Sequence, residues 1–402
     1  ARISRRLVRR RLARLAEGEL LLHDGGAERF GRPAADGLAA SLAVRDARFF
    51  TAVASGGALG AAESYLRGEW ASDDLVSLVR LLARNRAALE GLERGPARLG
   101  ALPARLLHAV RRNTRRGSRR NIVAHYDLGN DFFAAFLDPS MTYSSAYFAE
   151  PGLSLEAAQR AKIDRLCRKL RLGPEDHLLE IGTGWGSLAL HAASEYGCRV
   201  TTTTISPAQR QEAARRVAAA GLAGRVEVLE RDYRDLEGRF DKLVSVEMIE
   251  AVGHAGLEEF FARCGRLLKP DGLLALQSIT IADRNYEAAR HSVDFIQRYV
   301  FPGGALPSVA ALTRAVAGAS ELTPLHLEEI GLHYAETLRH WRRRFHSAWP
   351  ELARRGLDER FRRLWDYYLC YCEGGFRERV IGAVQLVLAG PGFRGESVRG
   401  AL

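Results

Sequence analysis

The chain has 402 residues, a length that predicts two or three domains. Hydrophobic residues make up 47% and charged residues 27%, which is ordinary for a globular protein and excludes a largely disordered one. The net charge of +11 favours an anionic partner, either nucleic acid or a membrane surface. No run approaches the ~18 apolar residues of a membrane-spanning helix. The basic N-terminus lacks the apolar stretch of a cleaved signal peptide.

The five cysteines favour a reducing compartment, because their number is odd and their spacing forms no disulfide framework. Cys370 and Cys372 are too close together for a CxxC pair. No metal site is predicted.

Residues 1–90 are predicted to be mostly helical. The segments LVRRRLARLAEGELL and DLVSLVRLLARNRAALE predict helices, and ARFFTAVASGGALGAAESYLRGEW between them is compatible with a strand or hairpin. Residues 91–120 carry prolines, glycines and six arginines in their last ten positions, which predicts a basic linker.

The first 14 residues contain seven arginines. We expect a basic amphipathic helix that lies on anionic headgroups, with a solvated arginine-rich tail as the alternative. Its apolar face is predicted to comprise Ile3, Leu7, Val8, Leu12 and Leu15.

Short apolar strands alternate with amphipathic helices from about residue 121 onward, which predicts a parallel sheet covered on both faces. The predicted strands are HLLEIG, CRVTTTTI, RVEVLE, DKLVSVE, GLLALQSIT and the final VIGAVQLVLA. The predicted helices are SLALHAASEY, PAQRQEAARRVAAA, LEEFFARCGRLL and long helices within 333–378.

A glycine-rich turn joins the first of these strands to a helix in HLLEIGTGWGSLALHAA. Its spacing, GxGxG over Gly182, Gly184 and Gly186, favours S-adenosylmethionine (SAM) over a dinucleotide, although a tight structural turn would look similar. The next strand ends in TTTTISPAQ, without the acidic residue that NAD enzymes use to hold the ribose. Thr204 and Gln209 are candidate hydrogen-bonding residues there, unless they only form the strand end and cap the helix.

Five segments in order resemble the cyclopropane fatty acid synthase family of SAM-dependent methyltransferases. They are HYDLGNDFFAAFLDPSMTYSSAYF, LLEIGTGWGSLAL, VSVEMIEAVG, FPGGALPS and YYLCYCEGGFRERV. The resemblance is strong over 121–390 and weaker over ARFFTAVASGGALGAAESYLRGEW. It implies an α/β fold with a Rossmann-like class I methyltransferase sheet in a catalytic domain, residues 121–402. A smaller lipid- or membrane-associated domain, residues 1–90, would precede it.

The resemblance also implies two sets of site residues. The SAM contacts would be Tyr143, Ser144, Gly182, Gly184, Trp185, Thr204, Gln209 and Tyr233. A bicarbonate ion beside the reacting carbon would be held by Ser145, Glu250, Gln277, Ile279 and Tyr334. Ser145 stands where the family usually has cysteine, and Gln277 where it often has histidine.

The implied reaction transfers a methyl group to the cis double bond of an acyl chain and leaves a carbocation. Bicarbonate, oriented by Glu250 and Tyr334, would then remove a proton and close a cyclopropane ring. A different course of proton loss would give a methylene-branched chain. Glu250 could alternatively be a structural carboxylate. We keep His125 as a candidate base and expect Glu247 to face another side of its element.

These expectations imply an unsaturated phospholipid substrate and a cytoplasmic protein associated with the inner face of the membrane. A nucleic-acid methyltransferase is the rival, but the sequence lacks an RNA-recognition signature and zinc-finger spacing, so no nucleic-acid partner is predicted. A homodimer is compatible with the sequence.

Overall fold

The computed structural model describes residues 2–93 and 129–396, which form two compact units. Among the described residues, the first unit draws on 2–93, 291–302 and 338–380, and the second on 129–290, 303–337 and 381–396. Most of the predicted linker, and His125 with it, lie outside the described residues.

The units do not follow the predicted domain boundaries, because two segments assigned to the catalytic domain pack with the N-terminal residues instead. A Cβ on Gly374 would lie 2.6 Å from Cγ1 of Val79, so only glycine allows the two helices that carry them to approach so closely. Arg80 and Arg84 both donate to Glu378 at 2.7 Å, which ties the same two helices together.

The first unit contains a four-stranded sheet that the sequence prediction missed. Strand β1 pairs antiparallel with β2 and parallel with β3, and β4 closes the edge in the order β2-β1-β3-β4. Residues predicted to extend the first helix form β1 instead, although helices still make up more of residues 2–93 than strands do. The strands are β1 (Gly18–His23), β2 (Ala27–Arg32), β3 (Ala39–Val44) and β4 (Trp70–Ala71). The helices of this unit are Arg2–Leu12, Arg48–Leu66, Leu75–Arg84, Arg86–Glu93, Phe295–Tyr299 and Glu359–Arg377, together with most of Gly331–Arg354.

The glycine-rich segment predicted as a strand or hairpin is a kinked helix, Arg48–Leu66. Gly57 adopts φ 56° and ψ −137° inside it, a conformation that breaks the helix and that glycine adopts without steric cost. A Cβ on Gly60 would lie 2.0 Å from the carbonyl oxygen of Ala52, so the kink also needs a glycine at this second position.

The N-terminal helix, Arg2–Leu12, packs its apolar side against its own unit. Val8, Leu12 and Leu15 are 3%, 6% and 4% exposed, so the predicted membrane-facing apolar face is wrong. Ile3 alone of that set is prominently exposed, at 86%. Among the described helices, none combines the length and the apolar character needed to cross a membrane.

The second unit is built on a seven-stranded sheet in the order β10-β11-β9-β8-β5-β6-β7. Strands β5 to β9 run parallel, and β11 pairs antiparallel with both β9 and β10. The six predicted strands are confirmed, and only the edge strand β10 was missed. Their bounds are β5 (His177–Ile181), β6 (Arg199–Thr204), β7 (Val226–Glu230), β8 (Phe240–Val246), β9 (Leu268–Ile281), β10 (Thr323–Glu329) and β11 (Ile381–Ala389).

Two hydrophobic clusters, one on each face of the sheet, bury it between helices, as predicted. One contains Phe260 and Leu312, and the other contains Leu166 and Ala189. The helices of this unit are Asn130–Phe136, Leu155–Leu170, Ser187–Glu195, Pro207–Ala219, Leu257–Leu267, Asp283–Arg290 and Val309–Ala319. The order of the sheet reverses beside β5, and ligands of open α/β sheets bind at the carboxyl ends of strands at such a point.

Candidate active site

The glycine turn leaves the carboxyl end of β5 at this switch point. Gly182, Gly184 and Gly186 all have positive φ, of 105°, 52° and 88°. A Cβ on Gly182 would meet Cβ of Met248 at 3.2 Å, so the turn lies directly against the segment that follows β8. A Cβ on Gly184 would meet nothing within 4 Å, so this position is open to a ligand. The turn therefore fits the close approach of SAM.

The aromatic segment that precedes the sheet folds over this turn. Trp185 is 2% exposed, and its Nε1 donates to Oδ1 of Asn130 at 2.8 Å. The ring of Phe133 lies 5.2 Å from that of Trp185 and 5.3 Å from that of Tyr143. The two predicted cofactor residues, Tyr143 and Trp185, are thus brought together by the helix Asn130–Phe136.

Thr204 and Gln209 are brought together at the end of β6. The Thr204 hydroxyl donates to Oε1 of Gln209 at 2.9 Å and accepts from the backbone N–H of Ser206 at 3.1 Å. Ser206 caps the following helix. These contacts fit the structural alternative, strand end and helix cap, and do not test a cofactor role.

Tyr233 follows β7, and its ring lies 5.5 Å from that of Phe260. Ser144 accepts a hydrogen bond from the buried ammonium of Lys162 at 2.7 Å. Burial lowers the pKa of Lys162 to about 8, while Glu247, Asp138 and Glu180 act in the opposite direction.

Glu247 is the centre of the hydrogen-bond network beside the turn, and the expectation that it faces elsewhere is wrong. Its Oε1 accepts from the backbone N–H of Ser145 at 2.9 Å and from Nε2 of Gln277 at 2.8 Å. Its Oε2 accepts from the Tyr334 hydroxyl at 2.8 Å. Burial raises the pKa of Glu247, and these donors together with Lys162 oppose the rise.

Glu250 lies three residues further on, in a single 3₁₀ turn, Ile249–Ala251. Its Oε1 accepts from the backbone N–H of Ile279 at 2.6 Å and from the Ser278 hydroxyl at 3.1 Å. Its Oε2 is buried without a hydrogen-bond partner among the described residues. Burial, and then the charge of Glu247, raise the pKa of Glu250 to about 8. Near neutral pH Glu250 is therefore largely protonated, while the donors around Glu247 and the ammonium of Lys162 favour the ionised form of Glu247.

The five residues expected to hold bicarbonate do not leave an open set of donors. Three of them, Ser145, Gln277 and Tyr334, donate to Glu247, and Ile279 donates to Glu250. The Ser145 hydroxyl donates to the carbonyl of Ala146 at 2.9 Å. A carboxylate of the chain itself thus takes the hydrogen bonds that the ion would need, and the residues present do not fit bicarbonate.

Two buried side chains that sequence reasoning missed, Lys169 and Gln385, fix the direction of this network. Lys169 donates to Oε1 of Gln385 at 2.7 Å, and Gln385 donates through Nε2 to Oε1 of Gln277 at 2.9 Å. Lys162 and Lys169 are 1% and 0% exposed, seven residues apart on one helix. The sequence offered one signal for these residues: both lysines occupy positions where the helical pattern predicts buried apolar side chains.

The sequence profile of the family "Mycolic acid cyclopropane synthetase" matches residues 113–386. The chain belongs to this family. It is 41% identical to a tuberculostearic acid methyltransferase of Mycobacterium tuberculosis, over 97% of this chain and 92% of the relative. It is 39% identical to the cyclopropane-fatty-acyl-phospholipid synthase of Escherichia coli K12, over 87% of this chain and 88% of the relative.

Solved structures agree with the family assignment. A mycolic acid cyclopropane synthase complexed with SAH and CTAB is 32% identical, with a TM-score of 0.63, over 67% of this chain and 98% of that one. The protein is therefore a SAM-dependent methyltransferase with a class I methyltransferase fold, as the sequence predicted. Its relatives are cyclopropane synthases and related fatty acid methyltransferases.

Proposed function

We propose that the enzyme transfers a methyl group from SAM to the cis double bond of an unsaturated phospholipid acyl chain. The observation that carries the proposal is how closely Gly182 approaches Met248: a Cβ added to Gly182 would lie 3.2 Å from Cβ of Met248. Met248 stands between Glu247 and Glu250 in the sequence, so both carboxylates are carried by a segment that lies against the cofactor turn, which supports a shared site. A methyl donor and a proton acceptor side by side are what methylation of an alkene requires.

Bound SAM supplies an electrophilic methyl group, and the alkene carbon that accepts it leaves a cation on its neighbour. A hydride shift from the methylated carbon to that neighbour moves the charge to the methylated carbon. Loss of a proton from the new methyl group then gives a methylene-branched chain. We favour this product because the relative that spans nearly the whole chain is a tuberculostearic acid methyltransferase.

The cyclopropane chain is the second candidate product, and the relative from Escherichia coli supports it. Here the methyl group loses its proton before any hydride shift, and the electrons of that C–H bond close the ring. Both products need one proton acceptor beside the methyl group. In the proposal neither product requires bicarbonate, because three groups expected to donate hydrogen bonds to the ion donate to Glu247 instead.

An anionic phospholipid surface at the inner face of the cytoplasmic membrane is the proposed location of the substrate. Four arginines of the first 14 residues, spaced by four, are exposed, namely Arg2, Arg6, Arg10 and Arg14. Residues four apart lie on one side of a helix, so Arg2, Arg6 and Arg10 form a stripe that suits anionic headgroups. The stripe, rather than the buried apolar side of the helix, supports the membrane proposal.

The deciding experiment incubates the protein with SAM and vesicles of an anionic monounsaturated phospholipid, and records proton NMR spectra of the extracted acyl chains. The two products are isomers, so mass alone does not separate them. Vinylidene protons would support the favoured product, and upfield cyclopropane protons the second candidate. Unchanged lipid, with SAM binding verified by calorimetry, would refute the proposed function.

Charge reversal at Arg2, Arg6 and Arg10 tests the membrane proposal separately. Vesicle binding should weaken in the variant, and wild-type binding should weaken with added salt, because the attraction is screened. Reversal of three exposed arginines of the second unit, Arg168, Arg199 and Arg210, changes the net charge equally and is the matched control. Equal binding of both variants would contradict the membrane role of the stripe.

A further inference from the structure

The geometry points to Glu247 as the proton acceptor of the reaction, a residue of the chain that replaces a bound bicarbonate. The inference rests on the proposed function, because it concerns the cation that methyl transfer leaves. It names both the residue and the oxygen atom that receive the proton.

Oε2 of Glu247 is the oxygen that remains able to accept. A carboxylate oxygen offers two lone-pair positions. Oε1 uses both, for Ser145 N at 2.9 Å and Gln277 Nε2 at 2.8 Å. Oε2 accepts one bond, from the Tyr334 hydroxyl at 2.8 Å, so one of its lone pairs is left for a proton.

The surrounding network requires Glu247 to be an acceptor. The ammonium of Lys169 can only donate, so Gln385 must present its oxygen to Lys169 and its amide N–H to Gln277. Gln277 in turn accepts through its oxygen and presents its own N–H to Glu247. The oxygen and nitrogen of a glutamine amide are hard to distinguish when the side chain is isolated. Here the chain of hydrogen bonds begins at a lysine, which can only donate, so the orientations of Gln385 and Gln277 are both fixed.

The neighbouring charges also favour an ionised Glu247. Glu250 is largely protonated near neutral pH, because its pKa is raised to about 8, and it then adds no negative charge beside Glu247. The ammonium of Lys162 attracts the ionised form from the facing helix. Pairs of carboxylates whose pKa values are pushed apart are typical of acid–base sites.

The backbone at Glu247 is held in an uncommon conformation. Its φ of 51° lies in the left-handed region, which disfavours residues other than glycine, asparagine and aspartate. Strain of this kind is concentrated at functional sites. A glycine at this position would relieve the strain, so the variant Glu247→Gly should keep the fold while it removes the carboxylate.

The proposed step is balanced without a further reagent. The cation loses a proton from the transferred methyl group, and the electrons of that C–H bond form either the double bond of the methylene branch or the third bond of the cyclopropane ring. The proton binds to Oε2 of Glu247, and solvent takes it after the product leaves.

The experiment compares the wild type in carbonate-free and bicarbonate-supplemented buffer, with the phospholipid vesicles and the NMR readout described above. The rate should be the same in both buffers. Glu247→Gln keeps the size of the side chain but cannot take the proton, and should lower kcat by about 10²-fold or more. The dissociation constant for SAM, measured by calorimetry, should stay close to that of the wild type.

Chemical rescue provides a positive result. In Glu247→Gly the three donors keep their positions, so added bicarbonate or formate should restore part of the lost turnover in a concentration-dependent manner. Glu247→Gln fills the same space and should not be rescued. The matched control is Glu258→Gln, the same chemical change at an exposed position of the same unit.

The outcomes separate the inference from the proposed function. A wild type that makes no product on any vesicle overturns the proposed function, and the inference with it. A wild type that is active only with bicarbonate, or a fully active Glu247→Gln, overturns the inference alone. If the variants do not fold, the bicarbonate dependence of the wild type still decides.

Discussion

Replacement of Glu250 by glutamine should remove a loss of stability that the wild type suffers as the pH rises. One oxygen of Glu250 accepts from Ile279 N and the Ser278 hydroxyl, and the other is buried without a partner among the described residues. Glutamine keeps the acceptor and replaces the second oxygen with a neutral NH₂ group. The variant therefore resembles the protonated acid at every pH.

The magnitude follows from the pKa of Glu250, which burial and the charge of Glu247 raise from an ordinary 4.5 to about 8. A group whose pKa is raised in the folded state makes its full contribution to stability at pH values below its unfolded-state pKa. That contribution is lost as the pH rises from the unfolded-state pKa to the folded-state pKa. At about 1.4 kcal/mol per pKa unit, the loss amounts to about 5 kcal/mol between pH 4.5 and 8. Above pH 8 it should grow no further.

Thermal unfolding of both proteins between pH 5 and 8.5 measures this difference. A change of 1 kcal/mol moves Tm by roughly 2–4 °C in a unit of this size, so the Tm of the wild type should fall relative to the variant by roughly 10–20 °C. Glu258→Gln, which removes an exposed carboxylate, should follow the wild type. Parallel pH profiles for wild type and Glu250→Gln would refute a neutral, buried Glu250.

Three further predictions concern other positions. Gly184→Ala should weaken SAM binding in a calorimetric titration, because the added Cβ enters space that no protein atom occupies within 4 Å. The free energy of unfolding should fall by only ~1 kcal/mol, the cost of an alanine at a positive φ of 52°. Lys162→Met should move the acidic limb of the kcat–pH profile to higher pH, because the pKa of Glu247 rises when the ammonium is lost; an unmoved limb would contradict this. Gly60→Ala should lower the free energy of unfolding by about 3 kcal/mol or more, and Tm with it, because the added Cβ would lie 2.0 Å from the carbonyl oxygen of Ala52; an unchanged Tm would show that the kink adapts.

The parallel sheet could be predicted from the sequence because its strands are buried on both faces. Such strands appear as short apolar runs between amphipathic helices, and this pattern does not depend on distant residues. The sheet of the first unit was missed because β1 continues the apolar pattern of the preceding helix and β2 has little apolar character. Strand β2, Ala27–Arg32, buries only Phe30 fully.

The site could be predicted only in part, because its geometry depends on the path of the backbone after β8. The spacing of Glu247 and Glu250 suggested different sides of one regular element. The strand ends at Val246, Glu247 turns with φ 51°, and a 3₁₀ turn follows from Ile249. No local pattern in the sequence predicts a glutamate at positive φ, and that conformation brings both carboxylates to the same place.

In the proposed reaction the two carboxylates have different roles, since one keeps its proton and the other accepts one. Glu250 keeps its own proton, since a second negative charge beside Glu247 is unfavourable in a buried site. Burial raises the pKa of Glu247, and Lys162 and three hydrogen bonds oppose that rise; one lone pair of Oε2 is not used by these bonds. In the proposed reaction, the position of that lone pair relative to the methyl group decides when the proton leaves. Early removal closes the ring, and removal after the hydride shift gives the methylene branch.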